Sequence, residues 1–153
     1  MKLISILAIA VFALPCCAQN KAEVFSNQNV SSQLATLTQT AKASGSGGAT
    51  LGDYKSHSIR LSVRAKSGGA ELHAHFDDIF VVTDGKATLI TGGTLIDEKS
   101  NKDGESTGSS IQGGSTQTIA KGDVVHIPAG TPHQIMIEPG TVYSSIVVKV
   151  REP

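Results

Sequence analysis

Tryptophan is absent from this chain, aromatic residues make up only 4% of it, and its two cysteines, Cys16 and Cys17, stand side by side near the start. Charge of one sign is lacking as well, since 13 basic side chains stand against 13 acidic ones. With no basic excess to follow a phosphate backbone, nucleic acid is not an expected partner, and adsorption to an anionic membrane surface has no support. There is no phosphate-binding P-loop, no Gly-x-Gly-x-x-Gly opening a helix and no Gly-x-Ser-x-Gly elbow, which removes the commonest nucleotide and serine-hydrolase chemistries. Ser, His and Asp are all present, but no spacing singles out a triad, and no segment repeats at a fixed period. What is abundant is glycine, 16 in 153 residues, beside 39% apolar and 17% charged residues. That composition supports a packed core with many tight turns between short elements, and the length fits one domain of about 100 to 200 residues.

Met1 and Lys2 precede the apolar run Leu3 to Leu14, which leads into Pro15-Cys16-Cys17-Ala18. A positive start, a short apolar stretch and small residues before a cut are the parts of a secretory signal, and the run is too short to span a bilayer. Cleavage after Ala18 is expected, with a secreted or periplasmic product and no transmembrane segment in the mature chain. Both thiols fall within the removed segment, so the mature domain is expected to hold together by core packing without a disulfide. Lipidation at Cys16 or Cys17 is the alternative.

The expected domains are a signal at 1–18, an N-terminal helix and Gly/Ser linker at 19–50, and a β domain at 51–153. Val30, Leu34, Leu37 and Ala41 recur at helical spacing, predicting a short helix from Asn29 to Ala43 with Asn29 as its cap. Ser44 to Gly48 reads as a flexible linker. Ile59, Leu61, Val63 and Ala65 then alternate with polar residues as in a half-buried strand, and Glu71 to His75 alternates likewise. Further strands are expected at Ile79 to Val82, Ala87 to Thr91, Thr94 to Asp97, Gln117 to Ala120, Val124 to Pro128, Gln134 to Ile137 and Tyr143 to Val150, with Asp84-Gly85 as a hairpin turn. Glu98 to Ser110 has almost nothing to bury and reads as an exposed loop. Many short strands with hardly any helix describe an all-β sandwich or small barrel.

The chemistry concentrates on histidine. His73-Ala74-His75 sets two imidazoles two residues apart, on one face if both lie in a strand, so that both reach one metal ion. Glu71 shares that parity and is a candidate replacement ligand or base. Asp78 lies past the following turn and faces back towards the pair, with Asp77 as its alternative. Gly122 to His133, GDVVHIPAGTPH, is a strand ending in a Pro-Ala-Gly-Thr-Pro turn that presents a third imidazole. Within it His126 is a lone strand histidine, more often a surface residue than a pocket one; it and Glu71 are the catalytic candidates. His57 has no partner in sequence and is expected to be solvated.

At these residues the chain resembles the cupin superfamily. The second cupin motif matches from Gly122 through Pro128 and Gly130 to His133, with Ile137 where the family often has Asn. The first matches at His73, His75 and Gly85, with Asp78 in place of the usual Glu, a shorter turn before it, and Gly68 one residue closer to His73. The resemblance spans Ile59 to Val150 and implies a double-stranded β-helix, or jelly-roll barrel, that pairs as a homodimer. It also implies one divalent metal held by His73, His75, Asp78 and His133. Such a donor set suits manganese, iron, nickel, cobalt or zinc and not calcium or magnesium. The function it implies is binding or transformation of a small organic molecule at that metal. A non-catalytic binding module and a metal-dependent oxygenase or isomerase are the alternatives.

Overall fold

The structure is a computed structural model and describes residues 21–152. The expected signal segment, with Cys16 and Cys17, lies outside the described residues. The chain runs through one helix, α1 (Asn27–Ser44), and strands β1 (Ser46–Asp53), β2 (His57–Arg64), β3 (Ala70–His73), β4 (Phe76–Asp84), β5 (Lys86–Thr91) and β6 (Thr94–Ile96). It continues with β7 (Lys99–Ser100), β8 (Glu105–Gly108), β9 (Ser110–Gln112), β10 (Ser115–Ala120), β11 (Val124–Ile127), β12 (His133–Met136) and β13 (Tyr143–Arg151). One sheet has the order β1-β2-β13-β4-β11, a second β10-β5-β12-β3-β8-β7, and β6 pairs with β9 in a small third. Phe80, Val82, Ile127 and Tyr143 from the first sheet pack with Ala87, Leu89, Ile119 and Ile135 from the second, closing one apolar core between them. This is the expected all-β jelly-roll barrel with one helix.

The helix begins two residues before its expected start. Ser26, not Asn29, is the cap: its Oγ accepts from the Asn29 N–H at 3.2 Å, relieving one of the amides that the first turn leaves unpaired. Val30, Leu34 and Leu37 are half-buried and Ala41 fully buried, so the apolar stripe is the packed face, lying on β1 and β2. The supposed linker after it is strand. Residues 46–53 pair along the whole of β2, and the glycines there admit the helix: a Cβ at Gly47 would stand 2.9 Å from the Leu37 carbonyl oxygen. Glycine content that looked like flexibility is close backbone approach.

Two further expectations are corrected. Asp84-Gly85 is not a hairpin turn, because β4 and β5 belong to different sheets; the chain crosses there from one layer to the other. Glu98 to Ser110 is not a loop but a hairpin of β7 and β8 that extends the second sheet. Its turn is built by the Asn101 side chain, whose Oδ1 accepts from the Asp103 and Glu105 N–H groups, and its strands are tied by a Ser100–Ser106 hydroxyl pair at 2.7 Å.

β2 carries the least expected arrangement. Its apolar residues Leu61 and Val63 are buried outside the core between the sheets, while Arg60, Ser62 and Arg64 line the cavity, which Leu61 also borders. Alternation predicts two faces but not which one meets a helix and which a pocket.

Candidate metal centre

Four side chains from three strands converge in a cavity of about 240 Å³. β3 supplies Glu71 and His73, two apart and hence on one face. β12 begins at His133, directly opposite Glu71 in register. β4 crosses from the other sheet and delivers Asp78. His73 Nε2 lies 3.6 Å from Glu71 Oε2 and 3.5 Å from Asp78 Oδ2, and His133 Nε2 lies 3.6 Å from the same Asp78 oxygen. His73, Asp78 and His133 are all buried.

The outward nitrogen of each imidazole is already engaged. His73 Nδ1 is bonded to the Glu105 carboxylate, which reaches it from the neighbouring strand β8, and Lys149 Nζ stands 3.9 Å behind that carboxylate. His133 Nδ1–H donates to the Thr131 carbonyl at 3.0 Å. These partners assign the Nδ1–H tautomer to both neutral rings, leaving an Nε2 lone pair aimed into the cavity on each. With both rings neutral those lone pairs face the oxygens of Glu71 and Asp78, and with His73 protonated its Nε2–H faces the same two carboxylates.

Protonation follows from burial and these contacts. The contact with His73 holds the Glu71 carboxyl well down, at about 2, against the opposing effect of burial and with help from Arg64. Burial pushes Asp78 up and His133 down. For His73 burial acts to lower the value, but Glu71, Asp78 and Glu105 together outweigh it and the net shift is upward.

Of the residues expected from sequence, His73, Asp78 and His133 come together and His75 does not. β3 ends at His73, and Ala74-His75 forms a turn whose Ala74 N–H donates across to the Gly104 carbonyl of the β7–β8 hairpin at 3.0 Å. Two-residue parity holds only while a strand continues, so His75 leaves the face of His73 and is exposed against Gly104. Glu71, weighed as a replacement ligand, takes the vacated side. Asp77 points outward, accepting from the Ala129 N–H at 2.7 Å and pairing with His126 at 3.0 Å. His126 therefore lies on the barrel's outer surface, away from the cavity, where with Asp77 it pins the turn leading to His133. His57, half-buried, stacks on Tyr54 with ring centroids 4.8 Å apart. Glu105 was missed altogether; the turn signature Asn101-Lys102-Asp103-Gly104 was the signal that a hairpin stood there.

The donor set fits a metal ion. Bond lengths of about 2.0–2.2 Å to nitrogen and oxygen place tetrahedral ligands roughly 3.3–3.6 Å apart, the spacing of the His73–Glu71, His73–Asp78 and His133–Asp78 contacts, while Glu71, His73 and His133 offer ligand atoms within 4.8 Å of one another. Asp78 Oδ1 is buried without a hydrogen-bond partner, an expensive state for a carboxylate even with Lys149 beside it on β13.

Among solved structures the chain resembles a protein from Thermus thermophilus with a TM-score of 0.56 and 15% identity, over 78% of this chain and 95% of that one. It resembles a cupin-2 domain protein from Rhodospirillum rubrum at 0.52 and 12%, over 71% of this chain and 63% of that one. The polyketide cyclase RemF from Streptomyces resistomycificus follows at 0.51 and 17%, over 72% and 69%. No family model and no curated protein matches the sequence. The likeness to these structures establishes the architecture: the chain has the cupin barrel fold. A group of histidine and glutamate side chains with metal-binding spacing lies inside it.

Proposed function

We propose that the barrel holds one divalent transition metal between Glu71, His73, Asp78 and His133 and uses it to bind a small organic molecule. The observation carrying this reading is the pair of imidazoles whose Nδ1 atoms are both occupied, so that both Nε2 lone pairs converge on two carboxylates. Mixed nitrogen and oxygen donors favour manganese, iron, nickel, cobalt or zinc over calcium and magnesium. Such an ion supplies a Lewis acid that polarises a bound oxygen. Glu105 and Thr131 fix the rings, and Lys149 steadies Glu105. RemF is a polyketide cyclase, but a shared fold does not carry an activity from one protein to another. The binding role is therefore the reading the site supports. Metal analysis of protein purified without a histidine tag tests it: about one ion per chain is expected, and none refutes it.

Two results should accompany metal binding. Glu105→Ala releases His73 Nδ1 and is expected to weaken affinity about 10- to 100-fold, read by competition with a chromophoric chelator. Affinity should also fall on acidification, because protons compete for the imidazole nitrogens. With His73 shifted up, that competition begins above its ordinary value of 6.5, and His133, shifted down, joins only at lower pH. Titrations should show a loss of roughly tenfold per pH unit first, steepening as the second ring protonates.

We further propose export through residues 1–18, supported by the charge and apolar pattern there; among the described residues no helix is long and apolar enough to cross a membrane. Pairing of two copies is proposed on the outer face of the first sheet, where Val81 and Val124 lie side by side, 37% and 69% exposed.

A further inference from the structure

We infer that the ligand of this cavity is a small oxyanion, gripped by a wall of hydrogen-bond donors on β2 and β13; the inference rests on the metal centre proposed above. The two strands are neighbours, and their inward residues stand in rows: Arg64 beside Tyr143, Ser62 beside Ser145, Arg60 beside Val147. All of them line the same cavity as the four metal-facing side chains. Two features of this wall bear on a ligand. The Tyr143 hydroxyl is buried beside the Ser145 side chain, without a well-aligned hydrogen bond, although the ring is part of the core and phenylalanine would fill the same volume. Arg60, exposed where it borders the cavity, has no carboxylate partner among the described residues, whereas Arg64 is held by Glu71 at 3.6 Å and Lys149 by Glu105 at 3.9 Å.

Charge sets the class of ligand. Arg60, Arg64 and Lys149 line the cavity against Glu71 and Asp78, with Glu105 beside Lys149, so these side chains balance and a bound divalent ion leaves the site positive, which favours an occupant carrying negative charge. A carboxylate or phosphate meets guanidinium groups through paired hydrogen bonds and accepts from a phenol as well. The cavity of about 240 Å³ has room for a short organic acid or free phosphate.

Calorimetric titration of the metal-loaded protein with malonate, its neutral counterpart malonamide, and inorganic phosphate tests the inference. Malonate or phosphate should bind at least about tenfold tighter than malonamide, and the order of the two anions tells an organic acid from free phosphate. Arg60→Gln and Tyr143→Phe should each weaken the preferred anion several-fold with metal content unchanged. Tyr143→Phe should leave the melting temperature no lower, an outcome that a purely structural hydroxyl would not give. Malonamide binding as tightly as both anions, or anion affinity unaltered in both variants at full metal content, overturns the inference. Absence of metal from the wild type overturns the metal reading instead, and anion binding that Arg60→Gln weakens in that protein would leave the donor wall standing alone.

Discussion

Replacing His73 or His133 by alanine should bring bound metal below about a tenth of the wild-type content, while His75→Ala should leave it whole. Removing a direct ligand costs more than the 10- to 100-fold typical of its outer hydrogen-bond partners, and elemental analysis after gel filtration reads the difference. The comparison is decisive because sequence spacing and structure disagree. His-x-His spacing assigns the second ligand to His75, whereas β3 ends before it and Glu71 occupies the cavity side. Glu71→Ala should therefore lose metal. Retention in Glu71→Ala together with loss in His75→Ala would restore the three-histidine arrangement. Folding should not confuse the result, since none of these four residues belongs to the apolar core between the sheets.

Gly85→Ala should be the most damaging single methyl group in the barrel. At this corner the backbone has φ +77°, and a Cβ would lie 2.1 Å from the Val142 carbonyl oxygen, a backbone atom that cannot swing aside. The left-handed conformation alone costs about 1–2 kcal/mol. The collision raises the expected loss to about 3 kcal/mol or more, which lowers the melting temperature by roughly 10 °C in a domain of this size. Gly122→Ala is the matching control, with φ +95° but nothing within 4 Å of the added atom. It should lose only the conformational part, about 1–2 kcal/mol. Equal melting temperatures for the two variants would show that the corner relaxes freely.

What was legible in the sequence was whatever a local pattern determines. The strands from Ile59 onward other than β7, β8 and β9, the helical stripe from Val30 to Ala41, and the candidate positions His73, Asp78 and His133 follow from alternation, spacing and motif. What was not legible depends on partners distant along the chain. Within the Gly/Ser segment, residues 46–48 are strand because β2 pairs with them and a helix rests on them. The polar segment holding Glu105 buries little, and its stability comes from serine hydroxyls and the Asn101 turn, which hydropathy does not register. His75 failed for a smaller reason: one residue of strand length decides whether parity applies. On β2 alternation marks two faces but not which of them meets the cavity, because a cavity and bulk solvent select the same polar side chains.

The position of β13 bears on how this chain folds. It is the last strand in sequence, yet it lies in the middle of its sheet, bonded to β2 on one side and β4 on the other. Any shorter chain leaves β2 and β4 as two open edges and removes Tyr143, Ser145 and Lys149 from the cavity. Contacts between β2 and β13 span most of the domain, the kind of long-range pairing that makes folding slow and concerted. The protein should therefore stay unfolded until β13 is available, and removal of residues 143–152 should abolish cooperative unfolding altogether.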